Sequence, residues 1–205
     1  MSKSHITTYA EPLARSPLEG CLDEYNDLLL DRTGVTLSQR GLPGLINLRG
    51  QPDEDGLIQA VAAILGGELP LMPNTTAQYG AITLCWLRPD EWLVMTPTVE
   101  TVEATLVALR QIGGSIAVTE VSSAYAVMGL SGSQARQVLA KGCTLDLHPR
   151  QFTTGHCAQS LLAKADVLLI ARDEDDMEIV VRRSFADYLW RWLVDAAEEY
   201  GVAVF

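Results

Sequence analysis

The chain has 205 residues, 48% of them hydrophobic and 20% charged, with a net charge of −11, which is length enough for one large or two small domains around a proper core. The excess of carboxylates argues against a sequence-independent grip on nucleic acid and against docking on anionic lipid, both of which recruit lysine and arginine. Small anionic ligands are not excluded, because local potential rather than net charge decides them.

The opening MSKSHITTYAEPLARSPLEG has no apolar h-region of a secretory leader, and no run approaches the ~18 apolar residues of a membrane span. Residues 1–40 are rich in Pro, Ser, Asp and Arg, with one short apolar run, Leu28 to Leu30. They read as an extended N-terminal arm with at most a short helix. A regular pattern starts at residue 41. GLINLRG (44–50) reads as a strand and DEDGLIQAVAAILGG (53–67) as a helix stopped by Gly66 and Gly67. PNTTAQYG reads as a loop, AITLCWL and EWLVMT as strands joined by RPD, and Thr98 as the cap of a helix through Ile112. SIAVTEV closes this first unit as a strand.

The order then recurs. AYAVMGLSG reads as a strand, SQARQVLAKG as a short helix, HCAQSLLAK, DVLLIAR and MEIVVRR as strands, SFADYLWRWLVDAAEEYG as a helix and VAVF as a closing strand. Ser184 and Asp187 have the spacing of a capping box for the last helix. The fold class is α+β: two consecutive β-α-β-β-α-β-like units, 41–121 and 122–205, forming one compact domain at 41–205.

The densest chemistry is KGCTLDLHP (141–149), followed by His156 and Cys157. Cys143, His148, His156 and Cys157 are zinc-type ligands, but structural zinc sites present two close chelating pairs, and adjacent residues on a strand point to opposite faces. Cys143 lies at a helix C-terminus, where the dipole disfavours a thiolate. Asp146 and His148 suit turn stabilisation. GLSGSQA places glycines at a helix start, which reads as a tight turn before an anion site, and no nucleotide-binding glycine loop is present. Neither a metal nor a catalytic residue is assigned. With no secretory leader and no Cys-x-x-Cys pair, Cys21, Cys85, Cys143 and Cys157 read as reduced thiols of a cytoplasmic protein.

On the last helix Phe185, Leu189, Trp192, Leu193 and Ala196 read as the core stripe. Trp190, Val194 and Ala197 then lie about 120 to 180° away at 100° per residue. Two placements account for this second stripe: the centre of an interface, where tryptophan is enriched, or burial beneath the N-terminal arm of the same chain. The first makes Trp190, Val194 and Ala197 the candidate subunit interface.

The stretch TEVSSAYAVMGLSGSQARQVLAKGCTLDLHPRQFTTGHCAQSLLAKADVLL, with VRRSFADYLWRWLVDAA after it, resembles the gamma subunits of heterotetrameric sarcosine oxidases. LINLRG, PNT and WLRPDEWLV fit the same family, so the resemblance runs from about residue 35 to 201. Through VSS...GLSGSQARQVL it extends distantly to the folate-binding part of the glycine-cleavage T-protein. It implies a T-protein-like domain that is a non-catalytic subunit beside alpha, beta and delta partners. The complex so implied converts sarcosine to glycine, with oxygen becoming hydrogen peroxide and the one-carbon unit passing to tetrahydrofolate. FAD, FMN and NAD are implied for the alpha and beta subunits and zinc for delta, with no cofactor in this chain. The T-protein's Gly-Gly hairpin is absent here, and Asp166 alone stands near its acidic position, where a hairpin-turn role suffices. A free-standing folate-binding aminomethyltransferase-like protein, or a gamma-type subunit of another N-methyl amino acid oxidase or dehydrogenase, are the alternatives.

Overall fold

A computed structural model of the chain describes residues 15–25, 33–53 and 56–205. The Leu28–Leu30 run, most of the segment before Ser16 and the start of the helix expected from 53 lie outside the described residues. The elements are α1 (Glu19–Tyr25), β1 (Val35–Gln39), β2 (Gly44–Arg49), α2 (Leu57–Leu65), β3 (Thr76–Tyr79), β4 (Ile82–Arg88), β5 (Glu91–Thr96), α3 (Val99–Arg110) and β6 (Ala117–Glu120). There follow β7 (Tyr125–Ser131), α4 (Ala135–Ala140), β8 (Cys157–Leu162), β9 (Ala165–Asp173), β10 (Asp176–Arg182), α5 (Ala186–Ala197) and β11 (Val202–Val204). No helix among the described residues is long and apolar enough to cross a membrane.

The strands form two sheets, ordered β3-β4-β5-β2-β6 and β11-β1-β7-β10-β9-β8. Each sheet has one face under helices and one face on the other sheet. Ile46, Leu48 and Val94 pack with Leu57, Val61 and Leu109 of α2 and α3 on one outer side. Met128, Leu169 and Ile179 pack with Leu139, Leu189 and Leu193 of α4 and α5 on the other. Between the sheets Leu45, Leu93 and Met95 meet Val127, Leu168 and Val180. Period-2 alternation in the strands and period-3.6 stripes in the helices therefore build four layers, helix–sheet–sheet–helix.

The two halves correspond more closely than the sequence suggests. Thr76–Tyr79, expected as loop, is a strand, so both halves read β-α-β-β-β-α-β. TAQY is too polar to signal a strand, and it is held by an antiparallel ladder to β4 that runs from Thr76↔Cys85 to Tyr79↔Ile82. At the N-terminus of α3 the Thr98 amide donates to Thr101 Oγ1 at 3.3 Å, closing the expected cap from the other side.

Three expectations need correction. Residues 35–39, read as part of the extended N-terminal arm, are built into the second sheet. Val35–Gln39 runs antiparallel to β7 and parallel to β11 as an interior strand of the second sheet, and Val35 and Leu37 are fully buried. Gly132, at φ 110°, allows this close entry, since a Cβ there would stand 2.4 Å from the Gly34 carbonyl oxygen. The second correction concerns α5. Trp190, Val194 and Ala197 do not form an outward stripe: Trp190 and Ala197 have no exposure and Val194 has 9%. With Ala186, Leu189 and Leu193 they follow i, i+3, i+4, i+7, i+8, i+11 spacing, a single inward arc. Phe185 and Tyr188 lie off that arc and are 40% and 37% exposed. The Ser184–Asp187 capping box does not form either. A turn of 3-10 helix precedes α5, and no side chain caps its start.

Candidate functional site

The KGCTLDLHP segment leaves α4 and returns along the outer side of the second sheet. Lys141 Nζ donates to the Ala196 carbonyl at 2.5 Å, pairs with Glu199 and sits 4.8 Å from the Tyr200 ring centroid. Cys143 is buried, bridges to Leu162 and has its Sγ 3.6 Å from Ser160 Oγ. Asp146 Oδ1 accepts from the His148 amide at 3.0 Å, and His148 Nδ1 accepts from the Arg150 amide at 3.2 Å. Both bonds stabilise the turn locally, the first as an Asx turn. Cys143 faces the helix side of its sheet, whereas Cys157 belongs to the layer between the sheets, 3.4 Å from the Thr75 carbonyl. The sheet thus separates the two thiols, and among the described residues no three His, Cys, Asp or Glu side chains are grouped to hold a metal.

Two amides of the glycine turn before α4 are occupied: Gly132 donates to the Asp175 carbonyl at 2.9 Å and Gln134 to that of Gly34 at 3.3 Å. Asp166 is a strand residue opposite Leu161, one ladder position beyond the Ala163–Lys164 turn, with its side chain exposed. Two of the thiols are held protonated, while the hydrogen bond from Cys85 lowers the pKa of the third, Cys157. Burial and the Asp187 carboxylate push Cys21 up to about 12. The hydrogen bond to Cys157 and burial raise the Cys85 thiol well above its ordinary value.

Arg136 is the clamp behind this segment. It is 9% exposed, and its Nη1 donates to the Leu147 and Phe152 carbonyls at 2.5 and 3.0 Å. Its Nε donates to the Glu174 carbonyl at 2.8 Å, tying the loop to the β9–β10 hairpin. Burial lowers its pKa.

A different constellation lies where the two sheets part. A recess of about 390 Å³ is lined by Arg40, Gln78, Thr83, Arg172, Asp176 and Glu178. Arg172 Nε donates to Glu178 Oε2 at 2.7 Å, and its Nη1 donates to Thr83 Oγ1 at 2.8 Å, joining the two sheets. Arg40 pairs with Asp176, and its guanidinium lies over Gly129, where a Cβ would stand 2.2 Å from Arg40 Nε. Sequence reading missed this group, since its members come from five separate strands and connectors. The usable signal was alternation: Glu178 shares its face with Val180, and Arg172 with Ile170, so both charges stand at inward positions of apolar strands.

Comparison with known proteins defines first the class. The double-sheet fold is that of the glycine cleavage system aminomethyltransferase T of Bartonella henselae, which superposes with a TM-score of 0.59 at 18% identity, over 89% of this chain and 50% of that one. Residues 49–199 match the model of the sarcosine oxidase, gamma subunit family. The sarcosine oxidase gamma subunit of Corynebacterium sp. (strain U-96) is 34% identical over 82% of each chain, and that of Arthrobacter sp. is 33% identical over 81% of each. A chain of the heterotetrameric sarcosine oxidase from Corynebacterium sp. U-96 superposes with a TM-score of 0.84 at 30% identity, over 94% of this chain and 98% of that one. The chain belongs to the sarcosine oxidase gamma subunit family.

Proposed function

We propose that the chain is the non-catalytic gamma subunit of a heterotetrameric sarcosine oxidase, assembled with alpha, beta and delta subunits in the cytoplasm. The complex oxidises the N-methyl group of sarcosine by two electrons, reduces oxygen to hydrogen peroxide, releases glycine and passes the one-carbon unit to tetrahydrofolate. FAD, FMN and NAD reside in the alpha and beta subunits and zinc in delta; this chain holds none of them. The observation that carries the reading is the family match over residues 49–199. The burial of Cys21, Cys85, Cys143 and Cys157 supports a structural rather than a nucleophilic role for the cysteines.

The test is co-expression of the four chains with and without this one, followed by isolation of the complex and measurement of peroxide formed from sarcosine. Omission of this chain is expected to leave the remaining subunits unassembled or inactive, and its return to restore both. Sarcosine turnover by the purified chain alone, or full activity of a complex lacking it, overturns the reading.

A further inference from the structure

We propose that the recess between the parted sheets binds a small zwitterionic amino acid, with its carboxylate on the Arg40 guanidinium and its ammonium group between Asp176 and Glu178. The inference starts from bonds left unmade. Arg40 engages Asp176 through Nη2 alone, Asp176 replies through Oδ1 alone, and Glu178 uses only Oε2 on Arg172. Among the described residues no protein partner meets Arg40 Nε or Nη1, Asp176 Oδ2 or Glu178 Oε1. Glu178 is 7% exposed, yet its free oxygen is not sealed: among the described residues the buried side-chain atoms without a partner are Arg136 Nη2 and Trp190 Nε1. Glu178 is one of the residues that line the recess.

The order of charge selects the ligand. Glu178 pairs in the ladder with Gly129, over which the Arg40 guanidinium lies, and Arg172 closes on the carboxylate from β9. Positive, negative and positive groups thus alternate along one wall, and Asp176 stands beside Arg40. A lone anion meets two carboxylates and the acidic Asp173–Asp175 turn next to them, while a lone cation meets two guanidiniums. A molecule carrying one charge of each sign satisfies both sets of free valences. The recess is wide and open to solvent, so a short side chain or water can accompany the two charged groups. Gly129 is part of the device, because a methyl group there would occupy the place of Arg40 Nε.

The inference goes beyond the assembly role and is tested apart from it, on the full-length chain without partners. Glycine, N-methylglycine, acetate and methylammonium are titrated against it by ligand-observed magnetic resonance at low salt. Both amino acids are expected to bind at least about tenfold more tightly than either singly charged probe, with affinity falling as salt is added. Arg40→Gln and Asp176→Asn, both at the partly exposed rim, are each expected to weaken amino-acid binding about tenfold or more while leaving the melting profile near that of the parent chain. Acetate binding as well as glycine, no amino-acid binding at tens of millimolar (~10–50 mM, beyond the weak end of ordinary affinities), or binding unchanged in both variants overturns the proposal. None of these outcomes depends on whether the oxidase assembles.

Discussion

The two halves carry the same string of elements but finish their sheets in different ways. In the first half β6 returns to lie directly against β2, antiparallel, from Ile46↔Glu120 to Arg49↔Ala117. In the second, β11 is held away from β7 by β1, which runs antiparallel to β7 and parallel to β11. The inserted strand preserves the polarity of β11 relative to β7, so the repeat tolerates it without a change of hand. The first unit is therefore closed by its own residues, while the second borrows a strand from a segment about ninety positions away, a contact that costs loop-closure entropy before it returns any ladder bonds. Similar topology does not mean equal autonomy.

The largest expected effect breaks the borrowed strand. Leu37 is fully buried on β1, and Leu37→Asp places an unpaired carboxylate in the helix-side core. A loss of more than about 4 kcal/mol is expected, from both the lost packing and the buried charge. Hydrogen exchange should show protection falling first in β7, β10 and β11, with β2, β4 and β5 retained longer. Equal loss in both halves would mean that the inter-sheet layer of Leu45, Leu93, Val127 and Val180 couples them into one unfolding unit.

A gentler comparison uses the two fully buried tryptophans, one in each half. Trp92 Nε1 donates to the Pro70 carbonyl at 2.8 Å, whereas Trp190 Nε1 is buried without a partner. Trp190→Ala should cost about 3–5 kcal/mol and unfold or loosen the second half, because the side chain is core. The phenylalanine variants separate the polar contribution from the packing. Trp92→Phe loses a hydrogen bond and strands a carbonyl, while Trp190→Phe removes an orphaned donor along with some apolar area. Trp92→Phe should be the more costly by about 1–2 kcal/mol, read from denaturant midpoints. The reverse order would show that ring volume at position 190 outweighs the unsatisfied N–H.

These same residues mark where the sequence was legible. AITLCWL, EWLVMT, DVLLIAR and MEIVVRR are long or alternating enough to declare β4, β5, β9 and β10, and α2 ends at Gly66 in the left-handed conformation that glycine favours. VTLSQ does alternate, with Val35 and Leu37 inward, but five residues with two apolar positions fall short of a signal when both partners are distant in sequence. On α5, Trp190 and Trp192 differ by about 200° around the axis. Local pattern alone does not say which of them faces in; the sheet decides. The recess was illegible for a related reason. Arg40, Thr83, Arg172, Asp176 and Glu178 converge only once the two sheets are stacked, and no local spacing encodes that.

The smallest effect lies where α1, another contribution of the N-terminal segment to the second half, meets α5. Cys21 Sγ donates to Asp187 Oδ1 at 2.8 Å, and Arg191 bonds both Asp187 and Glu24. The Cys21 hydrogen bond and Arg191 hold the Asp187 carboxyl below its ordinary 3.8. Burial and Asp187 push the Cys21 thiol from 9.0 up to about 12. A carboxyl depressed in the folded state stabilises above its unfolded pKa, and that contribution is lost as pH falls through the ordinary carboxylate range. A thiol raised in the folded state stabilises below its unfolded pKa, and loses that as pH rises through the window from 9.0 to about 12. Docking of α1 should therefore be firmest on the plateau between those windows. Asp187 is 60% exposed, so solvent screening keeps its share under about 1 kcal/mol. Asp187→Asn should flatten the acid limb of α1 amide exchange while leaving the protection of β2 and β5 unchanged, and Cys21→Ala should flatten the alkaline limb. If Asp187→Asn leaves the acid limb as it was, the Asp187 carboxylate contributes nothing to the docking, and the second half holds its borrowed helix by the burial of Leu18 and Cys21 together with the Arg191–Glu24 pair.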